Sequence, residues 1–234
     1  MQYCIRYVRS RARRACSGKL DKLFNIVLFE PEIPSNTGAI GRTCVVTGAR
    51  LHLIEPLGFS VDDKKLKRAG LAYWESLDVT TYHNWQDFLQ RNGLADREGG
   101  VSAEGARRLH LLTKKARKTY VQAQYREGDF LVFGKESAGL PERLLADLPD
   151  SCERIPMLPD DQTLTNREEW SERADALGGG SSVLRHDALM RRDICGNFVD
   201  PDDYRISALN LANSAGIVLY EALRQIGFPG MDAG

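Results

Sequence analysis

Residues 24–59 read FNIVLFEPEIPSNTGAIGRTCVVTGARLHLIEPLGF. Two runs in this stretch, FNIVLFE and LHLIE, are almost wholly apolar, and each ends in an acid followed by a proline. Short continuous apolar runs bounded by turn residues read as strands buried on both faces, the habit of a parallel sheet. Between them, Pro31 and Pro34 stop the first strand, Ser35 or Asn36 is placed to cap a helix reaching Thr47, and Gly48 follows as its stop. The unit is β-α-β. Its packing requires the apolar runs, but not an Asn36-Thr37-Gly38 turn, nor a single Arg42 among Gly38, Ala39, Gly41 and Thr43. Those extra features suit a site that grips a phosphate or a sugar.

The same alternation continues outward. Strands are expected at 24–30, 51–55, 79–83, 109–113 and 130–133, with a last one at 154–158. Asp62 and Asp63 open a basic helix, DDKKLKRAGL, whose acids and lysines suit its dipole. Asn84 caps a helix, WQDFLQRN, that Gly93 ends; 94–106 reads as a polar loop and 140–148 as a short helix. This order implies an α/β fold, a parallel sheet flanked by helices, with ligands bound beyond the carboxyl ends of the strands. The turns that fall there are Glu30-Pro31, Glu55-Pro56, Thr113-Lys114, Gly134-Lys135-Glu136 and 156–159. A closing helix, 207–226, shows apolar residues on two faces: Leu209, Ala212, Gly216, Leu219 and Leu223 on one, Leu211, Ala215, Val218 and Ala222 on the other. One face suits the core, and the other a symmetric partner subunit.

The 234 residues suffice for one domain, expected at 23–234, and the formal net charge of zero hides a local asymmetry. Residues 1–22 carry Arg6, Arg9, Arg11, Arg13, Arg14 and Lys19 ahead of the first acid, Asp21. This basic tail is read as disordered, as a transit segment, or as an arm on RNA phosphates. Residues 160–205, rich in acids and arginines and holding Gly178-Gly179-Gly180, form a polar insert without an apolar period. The five cysteines form no C-x-x-C pair and the four histidines are scattered, so neither a metal site nor a disulfide framework is expected. No apolar run is long enough to span a membrane. No P-loop and no G-x-G-x-x-G is present.

Taken in order, NIVLFEPEIPSNTGAIGRTC, LHLIEPLGF, DDKKLKRAGLAYW, DFLVFGKESAGLP, RIPML and LNLANSAGIVLYEALRQIGFPG resemble the TrmL (YibK) group of SPOUT methyltransferases. The resemblance leaves out only the tail and the insert. It implies a SPOUT-type fold with a deep C-terminal trefoil knot, a homodimer, S-adenosyl-L-methionine as methyl donor, and the ribose 2′-hydroxyl of a tRNA wobble nucleotide, cytidine or modified uridine, as acceptor. It assigns Arg42, Glu136 and Asn210 to catalysis, and Leu112, Gly134, Ile155, Met157, Ala208 and Asn213 to the donor pocket. Arginine's fixed fork of donors suits a phosphate or developing alkoxide, and its permanent charge leaves the general base unassigned. Lys64, Lys65, Lys67 and Arg68, followed by Tyr73 and Trp74, would meet the anticodon stem-loop, the aromatics stacking on bases.

Where the family usually has a serine before the Leu-Asn pair, this chain has Ala208, with Ser207 one residue earlier. Two other functions share this fold: a catalytically silent RNA-binding dimer and an rRNA ribose methyltransferase. A cytoplasmic location is expected for the tRNA enzyme, and a mitochondrial or plastid one if the basic tail is a transit peptide.

Overall fold

The computed structural model describes residues 23–59, 72–157, 191–192, 198–199 and 208–232. Its centre is a six-stranded parallel sheet of β1 (Asn25–Phe29), β2 (Arg50–Ile54), β3 (Val79–Tyr82), β4 (Leu109–Leu112), β5 (Phe130–Phe133) and β6 (Cys152–Glu153), in the order β3-β2-β1-β5-β4-β6. The helices are α1 (Pro34–Thr47), α2 (Trp85–Arg91), α3 (Ala103–Arg108), α4 (Glu142–Asp147) and α5 (Leu211–Gln225). The pleat sorts successive residues to opposite faces. Ile26, Leu28, Leu131 and Phe133 join one core layer with Ile40 and Cys44 of α1 and Ala215, Val218 and Leu223 of α5. Val27, Phe29, Phe130 and Val132 join the other, under Phe88 and Leu89 of α2 and Leu144 and Leu145 of α4.

Several expectations shift. Neither Ser35 nor Asn36 caps α1: extended Ile33 holds the cap position without a side-chain bond, and Pro34 begins the helix, where its missing N–H costs nothing. Gly48 ends it at φ 72°, a left-handed turn that favours glycine. The segment read as a polar loop contains α3, whose first turn is held by the Ser102 hydroxyl accepting from Gly105 N. The last strand of the sheet is Cys152–Glu153, earlier than expected, because it must pair with Leu111 and Leu112. Helix α5 buries one stripe, Ala215, Val218, Leu219, Ala222 and Leu223, drawn from both of the faces read in the sequence. Its outward apolar residues are Ile217 and Tyr220, with Leu209 exposed just before the helix. Trp74 is buried in the core, its ring near Gly41 of α1, so it does not stack on RNA bases. Within the polar insert, β7 (Arg191–Arg192) pairs antiparallel with β8 (Phe198–Val199).

Two buried histidines show how hydrogen-bond partners set charge. The imidazole of His52 donates through Nε2 to Asn25 Oδ1 at 3.0 Å and accepts at Nδ1 from the Tyr82 hydroxyl at 2.8 Å, which in turn accepts from Asn92. One neutral tautomer satisfies this chain. Burial, helped by the nearby Arg50 charge, lowers its pKa from 6.5 to about 4.

His110 meets Glu153 Oε1 at 2.9 Å and Asp129 Oδ2 at 3.2 Å. Both partners are acceptors, so both ring nitrogens carry protons and the ring is an imidazolium. Burial works against that charge, but the hydrogen bonds that the ring donates to Asp129 and Glu153 outweigh it and hold the pKa above 6.5.

The two groups act on stability with opposite sign. His52 contributes stability that is present above pH 6.5 and lost as pH falls toward its folded value of about 4, a loss of about 3 kcal/mol. His110 contributes stability that is present below 6.5 and lost as pH rises through its raised folded pKa. Melting temperatures measured from acid to alkaline pH are expected to fall on both sides of a maximum near 6.5, and His52→Gln is expected to flatten the acid limb. An unchanged acid limb in that variant would assign it to other groups.

Candidate active site

The strand order makes a crevice. The chain leaves β1 toward β2, and leaves β5 in the opposite direction toward β6, so the loops beyond these two neighbouring strands diverge. In open α/β sheets ligands sit outside the strands at such a point. Three segments distant in sequence meet there. Asn36, buried in the first turn of α1, donates through Nδ2 to Glu136 Oε1 at 2.9 Å and accepts at Oδ1 from Asn210 Nδ2 at 3.0 Å. The second oxygen of Glu136 accepts from the Glu32 backbone N–H at 2.9 Å. Asn210 also caps α5, its Oδ1 accepting from Ala212 N at 2.9 Å and Asn213 N at 3.3 Å. A single amide side chain thus both starts the closing helix and ties it, through Asn36, to the carboxylate.

A second layer fixes these loops. The Glu32 carboxylate accepts from Ser137 N at 2.9 Å and Ser137 Oγ at 2.8 Å. Hydrogen bonds from Ser137, side chain then backbone, lower the Glu32 pKa. Lys135 Nζ meets Glu30 Oε2 at 2.9 Å, and that bond raises the lysine pKa. Gly134 permits the turn: a Cβ there would lie 2.0 Å from the Gly139 carbonyl carbon, so no side chain fits.

Of the residues expected to be catalytic, Glu136 and Asn210 come together, and Arg42 stands apart from them. Arg42 lies on the exposed side of α1 with Ser35, Ala39 and Val46, and makes no ion pair or hydrogen bond among the described residues. The Tyr73 hydroxyl donates to Gly38 O of the same helix at 2.6 Å. Burial raises the Tyr73 pKa against the opposing pull of Arg42. Asn36, read in the sequence as a cap, is the link between the two other residues. A buried asparagine needs a partner, and Asn36 follows an acid-rich strand end in EPEIPSN, which is the signal for this role.

The donor-pocket residues divide similarly. Leu112, Phe133 and Glu153 are register neighbours, so the loops leaving β4, β5 and β6 begin side by side. Leu112 and Ile155 are half-buried and Met157 is exposed, leaving apolar surface at the sheet's carboxyl edge beside Gly134. Apolar surface flanked by strand-end backbone groups is of the kind that accepts the base of a nucleoside. Ala208 and Asn213 are exposed at the start of α5. Ala208 offers no hydroxyl, and the neighbouring Ser207 lies outside the described residues, as do Lys64, Lys65, Lys67 and Arg68. Among the described residues no helix is long and apolar enough to cross a membrane.

Comparison with known proteins agrees with this geometry. The model of the SpoU rRNA methylase family matches residues 23–164. A tRNA (cytidine(34)-2′-O)-methyltransferase of Saccharophagus degradans is 38% identical over 209 residues, covering 89% of this chain and 99% of the relative. A solved putative RNA methyltransferase from Bacillus anthracis superposes with a TM-score of 0.61 at 33% identity, covering 89% of this chain and 98% of that one. A structure described as "Structural insights into the 2-OH methylation of C/U34 on tRNA" superposes with a TM-score of 0.57 at 32% identity, over 87% of this chain and 95% of that one. With its parallel sheet, its crevice at the switch of strand order and this match over more than half its length, the chain belongs to the SpoU rRNA methylase family.

Proposed function

We propose that this protein methylates the ribose 2′-hydroxyl of nucleotide 34 in tRNA, cytidine or modified uridine, with S-adenosyl-L-methionine as donor. The observation that carries this reading is the Asn210–Asn36–Glu136 chain of hydrogen bonds at the crevice, in a protein matched nearly end to end by a relative named for that reaction. We place the work in the cytoplasm.

The donor supplies a methyl group activated by its sulfonium charge. The ribose oxygen forms a bond to the methyl carbon as the carbon–sulfur bond breaks, and the hydroxyl proton leaves. The protein's task is alignment, together with stabilising negative charge on that oxygen. Glu136 has both oxygens engaged by Asn36 and the Glu32 N–H, so its role is to hold the crevice in shape. Arg42 supplies the charge stabilisation. Because it is exposed on α1 and bonded to none of Asn36, Glu136 and Asn210, its action is assigned to the site of a second copy. The exposed stripe of α1 carrying Ala39, Arg42 and Val46, together with outward Leu209, Ile217 and Tyr220 beside it, forms the proposed dimer surface. A trefoil knot in the path from β6 to α5 belongs to this reading, its threading lying outside the described residues.

The test incubates the protein with labelled donor and bulk tRNA and identifies the methylated nucleosides by mass spectrometry. The expected product is 2′-O-methylcytidine or a 2′-O-methylated uridine at position 34. Methylation of ribosomal RNA in its place, or no transfer at all, would overturn the assignment.

A further inference from the structure

Beside the proposed site lies a cleft lined by Glu30, Glu32, Pro56, Leu57, Gly58 and Lys135. It opens at the carboxyl ends of β1, β2 and β5, with Glu136 next in sequence to Lys135. Among the described residues, both oxygens of Glu32 and both of Glu136 accept hydrogen bonds, and Glu30 Oε2 accepts from Lys135. Glu30 Oε1 has no such partner and Lys135 Nζ has donors to spare. Their side chains are 26% and 33% exposed, open to a ligand yet fixed by their 2.9 Å bond. Pro56 and Leu57 supply an apolar wall. The cleft therefore offers one acceptor and one donor side by side next to an apolar wall.

That combination is complementary to the edge of a nucleobase. We propose that the Glu30–Lys135 pair reads the Watson–Crick edge of the pyrimidine at position 34 while its ribose lies near Glu136. The proposal deepens the functional reading above and rests on it. Unstacked loop bases are read in this way, by hydrogen bonds to that edge and packing against a face. Cytosine presents an N4 amino donor beside its N3 acceptor: the carboxylate accepts from the first and the ammonium donates to the second. Uracil presents an N3–H donor beside a carbonyl acceptor, so the same pair serves it after a small shift. Adenine repeats cytosine's pattern but carries it a ring farther from the sugar, so with the ribose held near Glu136 its edge overshoots the pair.

The experiment measures kcat/KM on tRNAs differing only in carrying C, U or A at position 34, for the wild-type protein, Glu30→Met and Lys135→Met. S-adenosylhomocysteine binding serves as the folding check, and Glu30→Gln replaces any variant that fails it. Activity on the C34 tRNA is expected to fall roughly ten- to a hundredfold in the variants, with the C34-to-A34 ratio collapsing by a similar factor and cofactor binding unchanged. A ratio equal to wild type in every folded variant, even with lower overall rates, would mean that the pair holds backbone phosphate or only structure, and would overturn the proposal. A wild-type protein that leaves nucleotide 34 unmethylated would remove the functional reading itself, and the proposal with it.

Discussion

Arg42→Ala is expected to reduce methyl transfer by roughly 10² to 10³ in kcat, the usual cost of deleting one donor aimed at developing negative charge. The residue is exposed and outside the described hydrogen-bond network, so folding and S-adenosylhomocysteine affinity should be unchanged. Arg42→Lys keeps the charge without the fork and should recover only part of the rate. A mixing experiment locates the arginine. In a dimer of one Arg42→Ala chain and one Glu136→Gln chain, action across the twofold axis leaves one site fully intact. A randomly mixed population then regains about a quarter of wild-type activity. Action within one chain predicts no recovery, because every site carries a lesion. Full activity of the single Arg42→Ala variant would remove the mechanism.

Glu153→Ala is expected to destabilise the fold by about 3–5 kcal/mol, the range for removing one partner of a buried ion cluster. Glu153 is fully buried, and its oxygens accept from His110 at 2.9 Å, Lys118 at 3.2 Å and the Tyr125 hydroxyl at 2.8 Å. Burial, then the Glu153 charge, drives the Tyr125 pKa far upward, so the phenol stays protonated and donates. Removal of the carboxylate leaves the buried imidazolium with Asp129 alone. Urea unfolding of the variant should show a lower midpoint with an unchanged slope. A loss below about 1 kcal/mol would indicate that water takes over the vacated positions. Glu153 also closes β6 directly before Arg154 and Ile155, so the variant is expected to bind S-adenosylhomocysteine more weakly.

Much of this architecture is legible in the chain itself. β1 and β2 are uninterrupted apolar runs bounded by prolines, a pattern that only a strand buried on both faces requires, and their pairing through α1 follows from chain length. Asn84 and Gly48 mark a helix start and a helix end by the chemistry of their own side chains and backbones. What escaped depends on partners far along the chain. Asn36 resembles a cap because asparagine is common there, and only the arrival of Glu136 and Asn210 turns its side chain inward. α3, with sequence AEGARR, has no apolar period, and its existence depends on the Ser102 cap. β6 is two residues long and is a strand only because β4 lies beside it, whereas the apolar RIPML after it carries a proline that suits a loop. Trp74 next to a basic run reads as a nucleic-acid contact, yet Gly41 of α1 leaves room for an indole in the core. The exposed setting of Arg42 on α1 was not legible, since helical phase relative to the sheet is settled by packing.

Asn210 bonds to a partner 174 positions upstream. At ribosomal speeds of roughly 5–20 residues per second, Asn36 waits on the order of ten seconds or more for that partner to be synthesised. All six strands of the main sheet are made by then. A chain cut short by a premature stop codon or a protease before residue 210 would keep its sheet strands and lack the donor to Asn36 Oδ1. The Asn210–Asn36–Glu136 chain of bonds is thereby completed only after the whole sheet has been synthesised.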